Sequence, residues 1–184
     1  KQTHVSTTSG LVFALDGMAN TWASTGLLRA DEKNHKILVD SMRGVIESFY
    51  EEFDAPVIID KGRGWPIPQI MQAMSQVIGA KPKIIATVRS IPECMASFVR
   101  VAKPDDLDDF IYSGQLSEHL KAAYITLQTG YEYDPECFCI VEYDDLLADP
   151  KSQLDRIHAF LELDDFEYNF EAIDGTSVQE DDEE

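Results

Sequence analysis

Residues 83–101, KIIATVRSIPECMASFVRV, constrain the fold of this chain more than any other stretch. Ile84, Ile85, Ala86, Thr87 and Val88 form a short apolar, largely β-branched run, the pattern of a parallel strand covered on both faces. Arg89 sits at its carboxyl end. Ser90 and Glu93 have the S-x-x-E spacing of a capping box, and Pro92 is tolerated in a first helical turn because the amide it lacks has no helical partner there. A helix therefore begins at about Ile91. Its first N–H groups and the positive end of its dipole face Arg89, and Ser97, about two turns along, offers a hydroxyl toward the same place. Open α/β sheets bind ligands at such strand ends, so the segment reads as an anion site.

The order of elements around it is helix-rich first, then strand and helix in alternation, which predicts an α/β fold with a parallel sheet. Ile37, Leu38, Met42, Val45, Ile46, Phe49 and Phe53 recur at helical spacing, predicting an amphipathic helix over residues 36–53. Residues 56–60, PVIID, form the next short strand, and DKGRGWP follows it as a glycine-rich turn. Ile67, Ile70, Met71, Met74, Val77 and Ile78 mark a helix entered through Pro66 and Pro68. After the helix at Ile91, KPDDLDD reads as an exposed loop. Leu116 to Gln128 reads as a further helix with Gly130 past its end, and CFCIVEY (137–143) as a third strand. Asp149 and Pro150 suit the N-cap and first position of a last helix with Leu154, Ile157, Phe160 and Leu161 as its buried stripe. One domain over residues 1–178 is expected, followed by an acidic, disordered tail, QEDDEE, at 179–184.

Charge singles out the same region. The 184 residues hold 15 Lys+Arg against 34 Asp+Glu, a net charge of −19, yet the segment from Lys61 to Lys103 carries +6 and the other 141 residues −25. A small polyanionic ligand fits this distribution. Extended nucleic acid does not, because the surrounding field repels a long phosphate backbone. Lys61 with Arg63 after one strand and Arg89 after the next would share an edge if the two parallel strands were neighbours, and Tyr143 ends the third. Arginine grips a phosphate with a planar fork, whereas lysine offers a mobile point charge. Lys81, Lys83 and Lys103 read as solvated loop charges. Cys94, Cys137 and Cys139 give no even disulfide framework and no metal-like spacing with the histidines, so packing in a reducing compartment is expected. No window is long and apolar enough to span a bilayer, and a cytoplasmic protein without membrane or nucleic-acid partners is expected.

Three segments resemble the sulfotransferase family that uses 3′-phosphoadenosine 5′-phosphosulfate, which includes tyrosylprotein, carbohydrate, bacterial and viral members. VRSIPECMASF resembles its 3′-phosphate motif, an arginine ending a strand and a serine eight residues later, here Arg89 and Ser97. VIIDKGRGWP resembles the strand and turn whose lysine approaches the phosphosulfate, here Lys61. VEYDDLLADPKSQLDRIHAFLEL resembles the late strand, acidic turn and helix, with Tyr143 near the cofactor. The resemblance covers Val57 to Leu163. It implies a P-loop NTPase-like sheet with helices on both faces and in-line sulfuryl transfer to a hydroxyl or amine of a small-molecule, carbohydrate or peptide acceptor. It also implies catalysis by Lys61 helped by Arg63, cofactor contacts from Arg89, Ser97, Lys61 and Tyr143, adenosine 3′,5′-bisphosphate as product, and no metal.

The chain departs from the family at its first strand and phosphosulfate loop. VSTTSG (5–10) has the composition but no strand before it, so that loop is expected ahead of Lys1. The catalytic base is unassigned among His4, His35 and Glu47, and neither acceptor nor oligomeric state is encoded legibly. Two other readings compete. A P-loop kinase shares this kind of sheet, but the chain has no G-x-x-x-x-G-K-[ST] and no acidic strand end for magnesium other than Asp60. A degenerate or truncated relative that only binds a partner is the other.

Overall fold

A computed structural model describes residues 4–6, 10–24, 32–51, 57–112, 115–164 and 166–170. In chain order the elements are β1 (His4–Ser6), α1 (Leu11–Ser24), α2 (Glu32–Tyr50), β2 (Ile58–Asp60), α3 (Pro68–Ile78), β3 (Ile84–Val88) and α4 (Ile91–Ala102). They continue as α5 (Leu107–Tyr112), α6 (Gln115–Tyr133), a 3-10 turn (Pro135–Cys137), β4 (Phe138–Glu142), α7 (Tyr143–Ala148) and α8 (Pro150–Leu161). The strands form two parallel pairs. β1 runs beside β2 with Val5 opposite Ile59, and β3 runs beside β4 with Ala86 opposite Ile140. This is a mixed helix and sheet architecture with parallel pairing, rich in helix.

Helix α3 joins the two halves because its apolar residues point two ways. Val77 enters a core with Leu11 and Leu15 of α1 and Leu38 and Met42 of α2, against which Trp65 also packs. Met71, nearly two turns earlier, packs on Cys137 and Phe138 beside Ile84, Leu127 and Ile140. Each such side chain contributes about 1.5–3 kcal/mol when fully removed from water. Helix ends are closed by specific groups. Gly79 takes a left-handed conformation after α3, the Arg43 Nε donates to the Val77 carbonyl at 2.9 Å, and Asp149 accepts from the Ser152 amide at 3.1 Å as the expected N-cap of α8.

Several sequence expectations change. VSTTSG does begin in a strand: His4–Ser6 pairs with β2, and α1 starts five residues after Ser6, following Gly10 at φ +64°. KPDDLDD is not all loop, because Asp106 accepts from the Asp109 amide at 2.9 Å and starts α5. Helix α6 runs through Gly130 to Tyr133, since Gly130 is the buried point where the Pro66 backbone crosses it; a Cβ there would overlap the Pro66 carbonyl and lie 2.9 Å from Pro66 Cβ. Cys137 belongs to the 3-10 turn rather than the strand, although Cys137 and Cys139 are both buried as expected for packing cysteines. Tyr143 opens α7 instead of ending β4. The stripe of α8 is half-buried rather than buried. No residue of β3 is buried, whereas Phe138, Cys139 and Val141 of β4 are, so β3 is not covered on both faces in the described structure. The acidic tail at 179–184 lies outside the described residues.

Two of the basic segment's lysines are fastened structurally. Lys81 Nζ lies 2.9 Å from Asp134 and 2.6 Å from Glu136, tying the start of β3 to the end of α6. Lys83 Nζ lies 2.8 Å from Glu162. The hydrogen bonds from these ammonium groups hold the Asp134 and Glu162 carboxyls below the ordinary range. All three pairs keep at least one partner well exposed to solvent, so they fix geometry more than they stabilise. Among the described residues no helix is long and apolar enough to cross a membrane.

Candidate functional site

The register of β3 and β4 builds the site. Val88 lies opposite Glu142, so the residues that follow, Arg89 and Tyr143, emerge side by side at the carboxyl ends of two parallel strands. The Arg89 guanidinium carbon sits 4.6 Å from the centroid of the Tyr143 ring, a contact of roughly 0.5–1 kcal/mol for exposed groups. Arg89 Nε points to Glu93 Oε2 at 3.4 Å. These residues edge a cavity of about 190 Å³ lined by Val88, Arg89, Ser90, Glu142, Tyr143 and Asp144.

Helix α4 begins beside this cavity, with its cap residue Ser90 in the lining. Cys94 N donates to the Ser90 carbonyl at 3.0 Å, the first helical bond. The amides of Ile91 and Glu93 precede it and lack an intrahelical acceptor. Ser90 occupies the cap position at φ −59°, ψ 136°, but its side chain makes no capping hydrogen bond. The capping box expected of Ser90 and Glu93 is therefore not formed: Glu93 turns to Arg89, and Ser90 is one of the residues that line the cavity. Ser97 lies half-buried about two turns into α4 and is not among the lining residues.

Lys61 and Arg63 follow β2, whose ladder is with β1. Among the described residues β2 and β3 share no ladder, so hydrogen-bonded pairing does not bring these two cations to the edge that carries Arg89. Both are exposed and make no ion pair among the described residues. Their turn is nonetheless tightly held. A Cβ on Gly62 would lie 3.1 Å from the Trp65 indole, and one on Gly64 3.0 Å from Val12 Cγ2 of α1. The Ile67 amide donates to the Gly64 carbonyl at 3.1 Å. Gly130 of α6 closes the far side against Pro66, and the Tyr50 hydroxyl donates to the Asp60 carboxylate just ahead of Lys61. His35 and Glu47 lie on α2, half-buried and exposed respectively, and His4 lies in β1; neither His35 nor Glu47 lines the Arg89 cavity.

Of the residues singled out from the sequence, Arg89 and Tyr143 meet at this cavity; Ser90, Glu142 and Asp144 line it too and Glu93 touches Arg89, but none of these four was singled out as a site residue. Ser90 and Glu93 were absorbed by the capping signal. Glu142 and Asp144 flank Tyr143 in VEYDD and were legible only as an acidic turn.

A family model described as the sulfotransferase family matches residues 22–168. Among solved structures the chain is similar to a sulfotransferase domain from the curacin biosynthetic pathway, at 15% identity and a TM-score of 0.44. That alignment covers 83% of this chain and 56% of the other, so the chain spans little more than half the length of that domain. No curated protein matches significantly.

Proposed function

Because the chain belongs to the sulfotransferase family, matched over residues 22–168, we propose that it takes part in sulfuryl transfer from 3′-phosphoadenosine 5′-phosphosulfate. On this reading the Arg89 cavity receives the 3′-phosphate end of that cofactor, and the two parallel pairs are parts of a P-loop-like sheet with ligands at its carboxyl edge. The supporting observation is Arg89 fixed on the Tyr143 ring at two registered strand ends over a cavity. The donor set fits a phosphate: a guanidinium, the Ser90 hydroxyl and the first amides of α4. Glu142 and Asp144 suit the hydroxyls of the attached ribose, which they accept as hydrogen bonds. Charge-assisted hydrogen bonds contribute about 1.5–3 kcal/mol each. Three or four therefore supply a micromolar affinity, roughly 8 kcal/mol.

The cofactor, when bound, supplies the sulfuryl group that passes to a hydroxyl or amine of a small-molecule, carbohydrate or peptide acceptor. Lys61, helped by Arg63, offsets negative charge near the transferring group, and its glycine-rich turn, packed by Trp65, Val12 and Gly130, keeps that charge in place. Ser97 is assigned to the 3′-phosphate by family resemblance, with Ser90 as the hydroxyl nearer the cavity.

Calorimetric titration with adenosine 3′,5′-bisphosphate, beside ADP and magnesium-ATP, tests the reading. Preferential binding of the 3′-phosphorylated nucleotide is expected. Equal or tighter binding of magnesium-ATP would move the assignment to a phosphotransferase, and no binding of any of the three would remove it. Lys61→Ala is expected to lower sulfuryl-transfer turnover more than nucleotide affinity, and the opposite split would make Lys61 a binding residue.

A further inference from the structure

Among the described residues that line the Arg89 cavity one is a cation, while three carboxylates stand near it: Glu142 and Asp144 in the wall and Glu93 at 3.4 Å from Arg89 Nε. Glu93 is the one in contact with the guanidinium. S-x-x-E at a helix start ordinarily returns the glutamate to the cap backbone. Here the Ser90 side chain makes no cap bond and Glu93 engages Arg89. The guanidinium is thereby held on two sides, its face on Tyr143 and its Nε edge toward a carboxylate. An oxyanion binding the same edge must take the place of that carboxylate.

Building on the phosphate-site reading above, we propose that Glu93 is a resident competitor for Arg89: it positions the guanidinium on the Tyr143 ring, and a phosphate binds by displacing it. The pair is half-exposed, with side-chain exposures of 36% for Arg89 and 46% for Glu93, so the competing ion pair is weak enough to yield. The incoming dianion gains on two counts when the carboxylate swings away, since a hydrogen-bond edge is released and a like charge retreats. Glu93 thus sets the affinity of the site below what Arg89 alone would give.

The test is titration of the chain and of Glu93→Gln with adenosine 3′,5′-bisphosphate, with Asp145→Asn, an exposed carboxylate of α7 outside the cavity lining, as a control for charge removal without contact. Glu93→Gln is expected to tighten binding three- to tenfold, and Asp145→Asn to change it less. The gain should shrink to under twofold in an Arg89→Lys background, where the planar fork is absent; this coupling is the signature of direct competition. A gain equal to that of Asp145→Asn, or one that persists in Arg89→Lys, would overturn the proposal and leave a general charge effect. Weaker binding by Glu93→Gln would overturn it in the other direction, making Glu93 a ligand contact. If wild type binds undetectably and Glu93→Gln binds, competition is supported in its strongest form; if neither binds, the competitor role is refuted. Failure of the phosphate-site reading itself is separate, and shows as wild-type affinity that Arg89→Ala does not change.

Discussion

Arg89→Ala lowers affinity for adenosine 3′,5′-bisphosphate at least tenfold and leaves the fold intact. Arginine presents two parallel N–H groups to a phosphate, each charge-assisted bond contributing about 1.5–3 kcal/mol. Loss of even the weaker bond is therefore a factor of ten or more, and loss of both exceeds a hundredfold. The fold is spared because the side chain supports nothing beneath it. Its contacts are the Tyr143 face and Glu93, both at the surface, and substitutions at such positions change stability by about 0.5 kcal/mol or less. Arg89→Lys keeps the charge but loses the fork and most of the ring contact, so an intermediate loss is expected. Calorimetry with a parallel thermal melt separates the outcomes. Unchanged affinity with an unchanged melt would remove the central assignment, whereas a lowered melt would make Arg89 a structural residue.

Arg89 was legible in the sequence because two independent patterns converge on it. A β-branched run fixes the strand that ends there, and proline with an acidic residue fixes the helix that follows. Its partner Tyr143 required strand order as well, and parallel register between β3 and β4 supplied it: Val88 opposite Glu142 makes their successors neighbours. What escaped the sequence has a common cause, namely that local signals were overridden by contacts distant in the chain. Ser90 and Glu93 look like a capping box until a cation beside them competes for the glutamate. Gly130 looks like a helix terminator because glycine usually stands where the backbone turns left-handed; here it remains helical because another backbone needs the space its missing side chain leaves. The half-exposure of β3 could not be inferred, since an apolar β-branched run reports a strand suited to burial and not which neighbours cover it. Lys61 and Arg63 were found as strand-end cations, but their placement relative to Arg89 depended on an assumed β2–β3 adjacency that the hydrogen-bonded pairs do not contain.

Gly130→Ala carries the second large effect, and it links packing to catalysis. Alanine in place of glycine inside a helix ordinarily stabilises by up to about 1 kcal/mol, and Gly17→Ala in α1, where a Cβ meets nothing within 4 Å, should do so. At Gly130 the sign reverses, because the added carbon meets the carbonyl and Cβ of Pro66, and backbone cannot rotate aside as a flexible side chain can. Overpacking of this kind costs about 1–3 kcal/mol or more, enough to exceed the propensity gain. A net loss of about 2 kcal/mol lowers the melting temperature by roughly 4–8 °C in a chain of this size. The functional consequence follows from what is pushed. Pro66 ends the turn that carries Lys61 and Arg63, whereas Arg89 belongs to the other strand pair. Turnover should therefore fall well before nucleotide affinity does, measured below the lowered melting point. A Gly130→Ala protein as stable as Gly17→Ala would show that the helix does not press on Pro66, and parallel losses of turnover and affinity would show that the two strand ends are not mechanically separate.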